Sequence, residues 1–193
     1  KAEINAHELF DRKKIEEKEI TAIHKKGFGF VNTHYNDGII RGSGAMIAIG
    51  KHSTEETMVA KNTAGYFSFK KGSSKQTYPS SQMGVIALIR QAIYDAQYYE
   101  ENKNKLSENI TLDALSTLIK GPIIIEVSDH LEIMRAQKLA KEFNLKIAIV
   151  GPSSAYQSID ELKKEKSMIY ISKLDFPKAY DLKDPLVSRQ IPL

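Results

Sequence analysis

The sequence predicts an α/β protein built from parallel β/α units, and three observations lead there. Between residues 121 and 171, short runs of apolar residues alternate with stretches of helical periodicity. The runs are apolar on both faces, the pattern of parallel strands covered on either side. Gly121-Pro122 and Gly151-Pro152 punctuate the alternation at points where strands must begin or end. Each crossover is expected to be right-handed.

Taken in order, residues 8–26 read as a charged helix, with Ile15, Ile20 and Ile23 as an incomplete apolar stripe and Gly27 as its stop. A β-type run follows at Phe28–Thr33, bounded by the turn residues Asn36-Asp37-Gly38. Gly42-Ser43-Gly44 leads into a second strand at Ala45–Ile49, and Thr57–Ala60 is a third. Pro79, Ser80 and Ser81 open a long helix, because serine caps orphan amides and proline suits a first turn. Its apolar face reads as Met83, Ile86, Ile89, Ile93 and Ala96, extended by Tyr98-Tyr99. A shorter helix spans Leu112–Ile119.

Ile123–Val127 is a buried strand interrupted by Glu126. Asp129 and Glu132 form a capping-box pair for a helix facing inward through Leu131, Met134, Leu139 and Phe143. Ile147–Val150 is the next strand. Ser154 and Gln157 cap a third helix with Ala155, Ile159 and Leu162 inside, and Met168–Ile171 is the last strand.

Composition narrows the function classes. With 193 residues, 41% hydrophobic and 27% charged, the chain suits a folded domain rather than a disordered one. No run approaches the roughly 20 apolar residues of a membrane helix, so no membrane partner is expected. The net charge of +4 comes from lysine pairs set beside acidic residues. Only Tyr66, Phe67 and Phe69 before Lys70-Lys71 approach the basic-aromatic pattern of a nucleic-acid surface, and no nucleic-acid partner is expected. The absence of cysteine excludes thiol chemistry and selects no compartment; a soluble protein of the cytoplasm or the periplasm fits equally. The chain starts at Lys1 within helical sequence, which reads as an internal segment of something longer.

Ligands of parallel α/β folds gather at the carboxyl ends of strands. His34 with Asp37 could form a metal pair or a base with its orienting carboxylate, although two groups fall short of the three that catalytic zinc uses; Asp37-Gly38 could equally make a turn. Arg41, Ser43 and the flanking glycines could present a guanidinium and amides to an anion, or could be a tight strand connection. Ser128 and Ser153 also follow strands and are candidate substrate or anion contacts. Glu126 interrupts an apolar strand, so it is either an acid or base of raised pKa or the partner of a lysine or arginine across the mouth of the fold. His7, His24, His52 and His130 form no His-x-His spacing, and no metal ligand set is assigned.

Several stretches carry a resemblance. Gly27–Gly44 (GFGFVNTHYNDGIIRGSG), Tyr78–Ala87 (YPSSQMGVIA) with Leu88–Ala92, Asp129–Leu145, Lys146–Tyr156 and Phe176-Pro177-Lys178 resemble the imidazolonepropionase-like branch of the amidohydrolase superfamily. The resemblance implies a (β/α)8, TIM-like barrel, of which residues 1–193 would be a single partial-barrel segment. Residues 1–78 would supply a helix, short strands and loops, and residues 79–193 the regular β/α units. It also implies one or two divalent metals and hydrolysis of amide bonds, often in cyclic amides or dipeptides. Where that family shows histidine, this chain reads Glu126-Val127-Ser128 and Gly151-Pro152-Ser153. The expectation is therefore a segment with a degenerate metal site and a structural or substrate-binding role. No cofactor is expected in the segment itself, though zinc or another divalent metal is possible in the complete protein. Its partner would be the remainder of its own polypeptide or another chain completing the barrel. Two alternatives stay open: a metal-dependent C–N hydrolase completed by missing parts of the chain, and a carbohydrate- or peptide-binding module using a tyrosine-rich rim and Arg41.

Overall fold

The computed structural model describes residues 1–50, 54–151, 159–164 and 168–170. In chain order the elements are α1 (Ala6–Leu9), a 3-10 turn (Arg12–Lys14), α2 (Glu17–Lys25), β1 (Phe30–Thr33), β2 (Ile40–Ser43), β3 (Ala45–Ala48), α3 (Thr54–Thr57), β4 (Met58–Ala60), β5 (Gly65–Ser68), α4 (Gln82–Glu101), α5 (Ile110–Leu118), β6 (Pro122–Glu126), α6 (His130–Phe143), β7 (Lys146–Val150), α7 (Ile159–Lys164) and β8 (Met168–Tyr170).

The strands form two sheets. One is antiparallel, in the order β1-β3-β4; the other has five strands in the order β2-β5-β6-β7-β8. In the larger sheet β5, β6, β7 and β8 run parallel, as the apolar runs predict, while β2 lies antiparallel against β5. Helices cover one face of this sheet. Phe67, Ile123, Ile125 and Ile149 meet Val85, Ile89 and Ile93 of α4, Leu115 of α5 and Ile133, Ala136 and Leu139 of α6 in one core. On the other face Tyr66 and Ser68 are buried and Ile124, Ala148 and Val150 are half-buried.

The first helix is also corrected. Residues 8–26 are split, because the Asp11 carboxylate accepts from the Lys13 amide and starts a separate 3-10 turn. Arg12 then buries its guanidinium against the carbonyls of Gly50 and Ile15. The expected inner faces rotate as well. In α4 the buried side chains are Val85, Ile89, Ile93, Ala96 and Tyr99, whereas Met83 and Tyr98 face solvent. In α6 Ile133, Ala136 and Leu139 are buried, whereas Leu131 and Met134 are exposed. Ala136, at 0% exposure, lies at the centre of the face that α6 turns inward.

Caps hold where the sequence placed them. Ser81 accepts from the Gly84 amide, and Asp129 accepts from the Glu132 amide at 2.9 Å. The Ser154–Gln157 cap lies outside the described residues.

Ile93 is 0% exposed and Met83 is 82% exposed on the same helix. Ile93→Ala should cost about 3 kcal/mol in urea unfolding, and Met83→Ala should stay within about 0.5 kcal/mol of the parent. Similar costs at the two positions would mean that α4 packs by a different face.

Candidate functional site

β2 and β6 flank β5, and an ion pair joins them across it. Arg41 on β2 is 2% exposed, and its Nη1 donates to Glu126 Oε2 at 2.8 Å. Its Nε donates to the Gly38 carbonyl at 3.1 Å and its Nη2 to the Lys70 carbonyl at 3.2 Å. Glu126 ends β6, in register with the fully buried Ser68 of β5. The small serine leaves the guanidinium room to span the strand. Of the two readings of Glu126 in the sequence, the structure shows the paired one, and the Glu126 side chain is still 47% exposed.

The glycines around Arg41 are there for close approach. Gly42 has φ +79°, and a Cβ on it would lie 1.9 Å from the Ile4 carbonyl oxygen. A Cβ on Gly44 would lie 2.4 Å from the Tyr66 ring. The amides of Ser43 and Gly44 donate to the carbonyls of Ile4 and Ala64, both at 2.9 Å. The Ser43 hydroxyl lies 2.9 Å from Asn5 Oδ1 and 2.8 Å from Asn62 Oδ1. These groups hold the amino-terminal segment against β2.

His34 follows β1 and stacks on Tyr66, with centroids 4.1 Å apart and rings 17° from parallel. Its Nδ1 lies 3.1 Å from the Tyr35 carbonyl. Burial holds the imidazole pKa below its ordinary value; the Tyr35 carbonyl opposes that shift, Arg41 adds to it and Glu126 opposes it. His34 thus packs on Tyr66 of β5, while Arg41 and Glu126 meet two residues further along the same strand, at Ser68. The fold does not join Asp37 to His34: the buried Asp37 carboxylate pairs with the Lys1 ammonium, and its backbone bridges to Gly72.

Ser128 is part of the α6 cap. Its amide donates to Glu132 Oε2 at 2.6 Å, while Glu132 Oε1 accepts from the Gln82 amide at 2.7 Å. Gln82 Oε1 in turn accepts from Arg135 at 2.8 Å, tying α4 to α6. The Asp129–Glu132 spacing signalled the cap, but nothing local signalled Gln82. Ser153 lies outside the described residues.

Two open clefts are lined by described residues. One, of about 490 Å³, is lined by Lys1, Tyr35, Asp37 and the 73–76 loop; the other, of about 430 Å³, lies along α4 beside Tyr78 and Leu88. Arg41 lines neither, so the tyrosine rim and the guanidinium of a carbohydrate- or peptide-binding surface do not meet there. Among the described residues no three His, Cys, Asp or Glu side chains group closely enough to hold a metal ion. No described helix is long and apolar enough to cross a membrane.

Two measurements check this geometry. The His34 ring, followed by NMR, should titrate below about 6.5. Because its folded pKa is depressed, its contribution to stability is complete above the unfolded value and is lost as pH falls toward the folded one. A midpoint above 6.5 would contradict the burial. Arg41→Lys, which gives up the two carbonyl contacts, should cost about 2 kcal/mol in urea unfolding; an unchanged midpoint would mean that those contacts contribute nothing.

No protein-family model matches the chain, and no curated protein matches it in sequence. A crystal structure of an amidohydrolase from Thermotoga maritima MSB8 is similar to it, with a TM-score of 0.79 and 20% identity. The match covers 96% of this chain and 52% of the neighbour, so the chain spans about half the neighbour's length. At that identity the likeness establishes a shared fold.

Proposed function

We propose that this chain is part of an amidohydrolase-like protein of the imidazolonepropionase-like branch, in which it supplies scaffold and a substrate-contacting site. One observation carries the reading: Glu126, at the carboxyl end of a parallel strand, is bound by a buried guanidinium and still faces outward. That is the end of an α/β sheet where ligands are held. Arg41 acts as a positioning residue that fixes the carboxylate. The fold shared with an amidohydrolase supports the family assignment, and the half-length match supports a segment completed by the remainder of its polypeptide or by another chain. Neither a nucleic acid nor a membrane is proposed as partner.

The described residues do not fit a resident catalytic zinc. Such a site needs three protein ligands, and Glu126 already shares its carboxylate with Arg41. A divalent metal in the complete protein would draw its ligands from elsewhere. The second reading, a C–N hydrolase assembled only in the complete protein, rests on the same half-length match.

Zinc content after purification and dialysis tests the proposal. The expected result is well below one zinc per chain. One tightly held zinc per chain, lost in both His34→Ala and Glu126→Ala, would overturn it.

A further inference from the structure

We infer that the cleft between the turn after β1 and the loop after β5 binds an oxyanion, a carboxylate or phosphate group carried by a small molecule. The inference goes beyond the function proposed above and does not depend on the role given there to Glu126.

The cleft is built into the fold. It takes Lys1, Tyr35 and Asp37 from the amino-terminal segment and the turn after β1, and residues 73–76 from the loop after β5. Hydrogen bonds tie the turn to the loop. The Ser73 amide and hydroxyl donate to the Asn36 carbonyl at 2.9 and 2.6 Å, and the Gly38 amide donates to the Lys71 carbonyl at 2.8 Å. Arg41 joins the same two segments through the carbonyls of Gly38 and Lys70. Lys71 Nζ closes the loop on itself by donating to the Gln76 carbonyl at 2.8 Å. A cleft braced in this way is formed before a ligand arrives, and its volume of about 490 Å³ suits a small molecule. The loop leaves the carboxyl end of β5, a strand parallel to β6, which is the end where α/β sheets hold ligands.

The charges of the cleft are ordered by burial. The Asp37 side chain, 11% exposed, pairs with the ammonium of Lys1, whose side chain is 37% exposed. That ammonium also lies 5.7 Å from the centre of the Tyr35 ring. The negative charge is thus held inside and the positive one stands nearer to solvent. An ammonium carries further N–H donors beyond the one that meets Asp37. Lys75 adds a second ammonium, with no ion-pair partner among the described residues. The Ser74 hydroxyl accepts from the Gln76 amide at 3.3 Å and keeps its own proton to donate. Balanced against one carboxylate, the two ammonium groups leave the cleft positive and supplied with donors, which attracts an oxyanion. Lysine binds as a point charge rather than a planar fork, so a flat carboxylate and a tetrahedral phosphate both suit it.

Sodium phosphate and sodium acetate are the probes, titrated in a buffer free of other oxyanions while backbone amide shifts are followed by NMR. Methylammonium chloride is the cationic control. Saturable shifts at residues 73–76 are expected with an anion and none with methylammonium; the tighter of the two anions identifies the group as phosphate or carboxylate. Lys75→Gln, at an exposed position, should weaken binding about threefold, as loss of one exposed charge contact does. Asp37→Asn, which keeps the size of the side chain and releases Lys1, should strengthen it severalfold. Lys75→Gln decides alone if the asparagine variant does not fold. No saturable response to either anion, an equal response to methylammonium, or unchanged anion binding in Lys75→Gln would overturn the inference.

Discussion

The buried guanidinium of Arg41 is the constraint around which this half of the molecule is organised. A charge at 2% exposure is tolerable only when it is paired and its donors are satisfied. Here the partners come from three places: a carboxylate 85 residues away on β6, the carbonyl of Gly38 in the turn before β2, and that of Lys70 beyond β5. One side chain thereby fixes the turn after β1, the end of β5 and the end of β6 relative to each other. The small Ser68 beside Glu126 and Gly72, where a Cβ would lie 3.1 Å from Arg41 Nη2, leave room for the same side chain.

Much of the regular half was legible because its signals are local. The apolar runs at 123–127 and 147–150 became β6 and β7, and Asp129 caps α6 three residues before the amide that it accepts from. The helix faces were less legible. Leu131 and Met134 are as apolar as the residues beside them, yet the face that meets the sheet is the one through Ile133, Ala136 and Leu139. Two strands gave no usable signal. β5 buries Gly65, Tyr66, Phe67 and Ser68 alike and so shows no alternation. β2 contains an arginine and a glycine, and it reads as a strand only once the distant Glu126 is known to neutralise it.

The candidate site was legible to a similar degree. His34, Arg41 and Glu126 each stand out because they follow or interrupt a strand. The pairing of Arg41 with Glu126, and the diversion of Asp37 to Lys1, depend on how β2 docks against β5. Tyr66, which covers one face of the imidazole, reads in the sequence as an ordinary packing aromatic. Spacing alone suggested His34 with Asp37, because the two are three residues apart on a turn. The fold instead stacks His34 on Tyr66 of β5 and leaves Asp37 with Lys1.

The polarity of a site depends on which of its groups the fold has already used. Counting charged residues suggests an anion site around Arg41 and Ser43. Tracing the donors removes that expectation, since each guanidinium nitrogen is engaged inside the fold by a carbonyl or by Glu126, and the amides of Ser43 and Gly44 end on carbonyls. The same reasoning applies to the sheet itself. Ile124, Ala148 and Val150 are half-buried on the face that carries Tyr66 and Glu126, while the opposite face is sealed by α4, α5 and α6. Burying further apolar surface there would be favourable by about 25 cal/mol per Å². It would also lower the local dielectric around Glu126 and strengthen the field of its carboxylate. Whatever covers that face therefore bears on the Arg41–Glu126 pair at its rim, and scaffold and site become one problem.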